Sequence, residues 1–281
     1  MTSFLCLHQA TIQGFESKGI SREESENLLR KSAEIACEAR DIFLERCTKG
    51  CYSGTGGAPK NHPVLVAASR GSYGAYLADG SEYSGEYGEA VTLAFLKDFH
   101  RRVQVLAESS VEIIAFETIP NKIEAQAYVE LLEENDIKIP AWLSFNSKDG
   151  VNVVSGDSLH ECASIANLVT RFVLVQLHNY ESLSSWLSPL IDAHLPLMTG
   201  DRWEVTSKPI IIYPNSGETY DADRKEWVES TGVPDEDFVP YVSKWREAGA
   251  SLIGGCCRTT PNTIRAISRA LNITSVIKPQ N

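Results

Sequence analysis

Short apolar runs alternate along this chain with longer stretches in which apolar positions recur every three or four residues. The first pattern is that of buried parallel strands, the second that of amphipathic helices packed on them. Six runs read as strands: Val64–Ser69, Val111–Glu117, Ile139–Phe145, Phe172–Gln176, Pro209–Tyr213 and Ser251–Gly255. Between them Arg22–Arg46, Val91–Ser109, Ile123–Glu134, Ser158–Leu168 and Phe238–Ala248 read as helices. End signals agree: Ser21 with Glu24 forms a capping box, Pro120-Asn121 precedes the third helix, and Gly249 closes the fifth. Thr260-Pro261 then opens a C-terminal helix with Ile264, Ile267 and Leu271 on one face.

No linker interrupts this alternation, so residues 1–281 are expected to form a single α/β domain. No Gly-x-Gly-x-x-Gly follows any of the strands, which disfavours a doubly wound dinucleotide-binding sheet and leaves a (βα)8 TIM-type barrel. The chain begins in polar sequence and enters a helix before its first strand, so the barrel is expected to lack two strands.

The net charge is −11, and no Lys/Arg cluster follows a phosphate backbone, which argues against a nucleic-acid partner. No apolar stretch approaches the roughly 20 residues that cross a bilayer. Met1–Ala10 lacks the positive region of a secretory signal. The 7 scattered cysteines suggest reduced thiols, hence a soluble cytoplasmic protein without membrane partners.

Four segments hold candidate chemistry. In Gly254-Gly255-Cys256-Cys257-Arg258-Thr259-Thr260-Pro261, two adjacent thiols end a strand on the face where parallel α/β folds place active sites. A loop freed by two glycines can turn both sulfurs to one soft cation such as Zn²⁺; the alternative is a pair of small buried residues. Glu117 ends another strand, where it suits a substrate ammonium or an ion pair with a neighbouring strand. Tyr213-Pro214-Asn215-Ser216-Gly217-Glu218 follows a third strand and presents small polar side chains or simply turn chemistry. Tyr83–Gly88 reads as a lid or a solvated loop, and Cys47 with Cys51 lies beside a Gly-rich segment taken as surface.

Gly-Gly-Cys-Cys-Arg-Thr-Thr-Pro, Phe-Glu-Thr-Ile-Pro-Asn and Tyr-Pro-Asn-Ser-Gly-Glu-Thr-Tyr together resemble the zinc-dependent homocysteine S-methyltransferases, in particular the plant enzymes that use S-methylmethionine. The likeness runs from about residue 9 to 167 and from about 206 to 273. It implies a (βα)8 barrel in which three cysteines hold Zn²⁺ and the metal binds the homocysteine thiol. Cys256 and Cys257 match two of those ligands, Glu117 the residue that holds the homocysteine amino group, and Asn215 with Ser216 the loop lining the pocket. The implied reaction moves a methyl group from S-methylmethionine, or from S-adenosylmethionine, to homocysteine and forms methionine.

Two departures stand beside the likeness. The family's opening strands, with an Asp-Gly-Gly motif and a Thr-Tyr-Gln strand end, have no counterpart before Gln9. The family's Gly-x-Asn-Cys-Thr, which carries the third metal cysteine, is replaced by Val175-Gln176-Leu177-His178-Asn179-Tyr180 in a divergent segment from about 168 to 205. Codons CAA TTG CAC AAC for Gln176–Asn179 would encode Asn-Cys-Thr one base later, which suggests a frameshift or altered splice that genomic reads would test. His178 is the candidate replacement ligand, since Cys₂His zinc sites exist. The rival readings are a shortened, inactive or regulatory isoform without zinc, and a dithiol redox protein, for which no Cys-x-x-Cys is present.

Overall fold

A computed structural model of the chain describes residues 3–8, 11–48, 63–101, 103–147, 151–167, 172–177, 210–213, 218–221, 224, 226–228, 239–247, 250–256 and 258–276; for 3–8, 48, 172–177, 210, 219–221, 227 and 272–276 it describes backbone alone. Its centre is a seven-stranded sheet, every neighbouring pair parallel. The strands stand in chain order: β1 (Ser3–His8), β2 (Val64–Gly71), β3 (Ile113–Ile119), β4 (Ala141–Ser147), β5 (Phe172–Leu177), β6 (Ile210–Ile212) and β9 (Ala250–Ile253). A small antiparallel hairpin, β7 (Thr219–Asp221) with β8 (Glu226–Val228), is inserted after β6.

Sequence order is what right-handed βαβ crossovers produce when each strand is laid beside its predecessor. The crossovers include α2 (Arg22–Thr48), α5 (Leu93–His100) with α6 (Val103–Ala107), α7 (Lys122–Glu134), α8 (Leu159–Asn167) and α9 (Val239–Glu247); α10 (Pro261–Val276) follows the last strand, β9. Short helices α1 (Ile12–Glu16), α3 (Tyr73–Leu77) and α4 (Ser81–Ser84) occupy the connections beside β1 and β2. The cap signals act as expected: the Ser21 hydroxyl accepts from Glu24 N (3.2 Å), and the Asn121 side chain accepts from Glu124 N (3.0 Å) to start α7.

Two expectations are corrected. The opening segment is not free of strand: Ser3–His8 pairs residue for residue with Val64–Ser69. Phe4-Leu5-Cys6-Leu7 is apolar at consecutive positions, as suits a parallel strand. The described sheet therefore has seven strands rather than six and ends at β1 and β9. The second correction is the single helix expected over Val91–Ser109. It divides into α5, started by the Thr92 cap and closed at Arg101, and α6. α5 buries Leu96, Phe99 and His100, whereas α6 buries Val103, Val105 and Leu106.

Alternation along the strands sorts side chains into two layers. Val66 and Ala68 of β2 pack outward on Leu29, Ala33 and Ala36 of α2. Ile114 and Phe116 of β3, with Leu143 and Phe145 of β4, pack outward in the cluster that holds Tyr128, Val129 and Leu132 of α7 and Trp245 of α9. The opposite face gathers Ala67, Ile113, Ala115, Trp142 and Ile211, joined by Tyr213 and Leu252. Strands β2 and β9 stand five places apart in the sheet yet contribute to this one cluster. Flat neighbouring strands lie about 4.8 Å apart, so the sheet must curl strongly around its inner face.

Candidate active site

At the C-terminal ends of the strands the inner layer turns polar. Ile113, Ala115 and Glu117 alternate along the inner face of β3, and Glu117 is only 7% exposed. The Ser69 hydroxyl, from the end of β2, donates to Glu117 Oε2. From the far side, the Tyr213 hydroxyl, one residue beyond β6, donates to Oε1 at 2.9 Å. The β3–β4 register slips between Phe116 and Ile119, and Thr118 there adopts φ +60°. A β-branched residue in the left-handed region costs on the order of 1–3 kcal/mol and is kept only where its surroundings impose it.

The cysteine loop lies beside β6. Gly254 N donates to Ile212 O (2.8 Å), so the strand-like pairing of β9 with β6 continues into the loop. A Cβ on Gly255 would fall 2.4 Å from Thr259 Oγ1, and only glycine fits there. Thr259 closes the turn, donating to Cys256 O through its hydroxyl (2.6 Å) and its backbone N–H (3.1 Å). Arg258 adopts φ +64°, and its guanidinium pairs with the Glu218 carboxylate. The segment 214–217 is thus bracketed: Tyr213 on one side touches Glu117, and Glu218 on the other is tied to the cysteine loop.

Cys256 is half-buried at this mouth. Its thiol suits a soft cation, whereas Cys37 and Cys162 do not: burial pushes both thiols up, Cys162 to about 12, and neither lies at the strand ends. Cys257 and His178 lie outside the described residues, and among those described no three His, Cys, Asp or Glu side chains converge as a metal site.

Behind the β2 end, a buried cluster fixes the following loop. Glu124, fully buried on α7, accepts from the Tyr87 hydroxyl (2.5 Å), Tyr73 N (2.6 Å) and His100 Nε2 (2.7 Å). Burial is the main cause that pushes His100 down to about 4, so the ring is neutral and its Nε2–H is the donor. Tyr87 also accepts from Gly74 N (3.1 Å), and Asn121 Nδ2 donates to Gly85 O (3.1 Å). Within residues 83–88, read as a lid or a solvated loop, Gly85 and Tyr87 are tied to the body of the fold while Glu86 and Gly88 are exposed.

The structure thus brings Glu117 and Cys256 to one end of the sheet; Asn215, Ser216 and Cys257 fall outside its described residues, as do Cys51 and most of the divergent segment. Sequence reasoning missed Ser69 and Tyr213 as partners of Glu117. Tyr213 headed a motif already singled out, but a contact between the ends of β3 and β6 depends on sheet curvature. No helix among the described residues is long and apolar enough to cross a membrane.

The sequence profile of the homocysteine S-methyltransferase family matches residues 7–271. Homocysteine S-methyltransferase 2 of Arabidopsis thaliana is 62% identical over 270 residues, 94% of this chain and 76% of that protein. Selenocysteine Se-methyltransferase of Brassica oleracea var. italica is 61% identical over 265 residues, 94% of this chain and 73% of the relative. Among solved structures, the metallated homocysteine methyltransferase MmuM of Escherichia coli superposes with TM-score 0.71 at 31% identity, covering 95% of this chain and 78% of that one. Motifs, parallel fold and these relatives agree, and the chain belongs to the homocysteine S-methyltransferase family.

Proposed function

We propose that this protein transfers a methyl group from a sulfonium donor, S-methylmethionine or S-adenosylmethionine, to homocysteine. The observation that carries the reading is the buried Glu117 carboxylate, held by hydroxyls from β2 and from beyond β6 at the strand ends where Cys256 also lies. Glu117 would take the ammonium group of homocysteine, with Asn215 and Ser216 lining the same pocket. Ser69 and Tyr213 hold that carboxylate in one orientation, so the amino acid is fixed before reaction.

Cys256 and Cys257 would hold Zn²⁺, with His178 the candidate for a third protein ligand. Bound there, the metal supplies a Lewis acid that lets the substrate thiol ionise near neutral pH. The homocysteine sulfur lone pair forms a new S–C bond to the donor methyl carbon while the sulfonium C–S bond breaks. That electron pair stays on the departing sulfur, which leaves as a neutral thioether and needs no proton from the protein. With S-methylmethionine both products are methionine. Two bound substrates meeting in line is the main requirement, which suits a site built from positioning groups. The selenocysteine methyltransferase among the relatives supports a selenol as a second acceptor for the same pocket.

Elemental analysis of the size-selected chain, with a methyl-transfer assay on both donors, tests the reading. Near-stoichiometric zinc with methionine formation is expected. Absence of zinc after reconstitution would favour the inactive or regulatory alternative.

A further inference from the structure

Strand β4 presents two buried polar side chains to the inner face that the reaction so far leaves unused. Leu143 and Phe145 pack outward in the helix-side core, whereas Trp142 belongs to the inner cluster, and Ser144 and Asn146 share its side of the strand. Both Ser144 and Asn146 are 0% exposed. Asn146 Nδ2 donates to Glu82 O (2.7 Å), which settles the amide orientation and leaves Oδ1 as an acceptor. Among the described residues, Asn146 Oδ1 and Ser144 Oγ have no hydrogen-bond partner. Buried polar atoms are rarely left so, and each calls for a reason: strain, a bound water or a ligand.

Their position points to a ligand. Phe116 stands opposite Leu143 and Ile119 opposite Phe145, so the slipped stretch between them sets Glu117 level with Ser144 on the adjoining strand. Asn146 lies one inward-facing position nearer the mouth. We propose that Ser144 Oγ and Asn146 Oδ1 act with Glu117 as the cradle for the α-ammonium group of the thiol amino acid. An ammonium group carries three N–H donors, one for each of these acceptors. S-methylmethionine carries an α-ammonium group too, but its sulfonium has no thiol to anchor at the cysteine loop, so that group is not brought to these acceptors. The cradle sets specificity: a thiol without the amino group leaves buried acceptors unpaired and is rejected. It rests on the reading of Glu117 as the ammonium partner.

The test is calorimetric titration of the full chain, supplied with equimolar Zn²⁺, with homocysteine, with its deaminated analogue 4-mercaptobutanoate, and with S-methylmethionine. Ser144→Ala and Asn146→Ala are each expected to weaken homocysteine about tenfold, as loss of a hydrogen bond to a charged group should, and to leave the other two ligands unchanged. Equal losses for both thiols, no loss at all, or a loss confined to S-methylmethionine would overturn the cradle. Glu117→Gln separates the two readings. If it alone selectively weakens homocysteine, the cradle fails and the Glu117 reading stands; if it shows no such selectivity, both fail. Should Asn146→Ala not fold, Ser144→Ala decides, since it removes only an unpartnered hydroxyl. A wild-type chain that binds neither thiol also overturns both.

Discussion

Two hydroxyls from different strand ends help to orient the buried Glu117 carboxylate. Removing the Tyr213 hydroxyl takes away one of the two hydroxyl hydrogen bonds that orient the carboxylate. Tyr213→Phe is therefore expected to raise the KM for homocysteine several-fold while kcat changes little, because ground state and transition state lose the same contact. Steady-state kinetics check this, and a fall in kcat at unchanged KM would contradict it. The cysteine loop offers a sharper contrast between neighbouring glycines. A methyl on Gly255 meets Thr259 Oγ1 at 2.4 Å, whereas on Gly254 the nearest atom is Tyr213 Cβ at 3.7 Å, ordinary contact. If the cysteine loop holds zinc as proposed, Gly255→Ala should bind much less of it in elemental analysis and Gly254→Ala as much as the wild type; equal zinc in the two would refute the tight-turn account. From sequence, Glu117 and the cysteines stood out because a carboxylate or two thiols at a strand end need a reason. Ser69 and Tyr213 did not, because serine and tyrosine at strand ends are unremarkable until a partner is known.

The elements that carry these residues are held by the Glu124 cluster, which joins α7, α5 and the loop after β2. His100 is fully buried and pushed down to about 4, while in the unfolded chain it titrates near 6.5. Between those values the unfolded state binds a proton that the folded state does not, so stability falls as pH drops from about 6.5 to about 4. The loss amounts to roughly 3 kcal/mol at the lower end. Urea midpoints across that window should fall for the wild type and fall less steeply for His100→Gln. Parallel slopes would place the acid sensitivity elsewhere. Two helix starts were legible at this scale because caps are local: Ser21 and Asn121 each accept a backbone N–H three residues on, as does Thr92, which the sequence reading did not single out. The break between α5 and α6 was not, since it depends on what each half packs against.

At the scale of the whole molecule, β1 lies at one end of the sheet and pairs with β2 over its full length. Removal of residues 1–8 would expose a mostly buried β2 as the new edge, with Val66, Ala67 and Ala68 0% exposed beside it. That variant is expected to melt at a lower temperature and to aggregate in light scattering. A melting temperature unchanged from the full chain would show that β1 contributes little. A net charge of −11 makes copies of the chain repel one another but does not protect an apolar edge.

Sequence by itself determined the parallel α/β class, six of the seven strands of the main sheet, the long helices and two of the chemically loaded strand ends, because hydrophobic periodicity, capping and motif spacing are written locally. The tertiary structure decided the rest. It recovered β1, whose short apolar run has meaning only against β2. It brought Tyr213 onto Glu117 across the curl of the sheet, and it aligned Ser144 with Glu117 through a register slip. Such relations join residues far apart in the chain, and they are set by how a twisted sheet curls around its inner side chains, which no local pattern encodes.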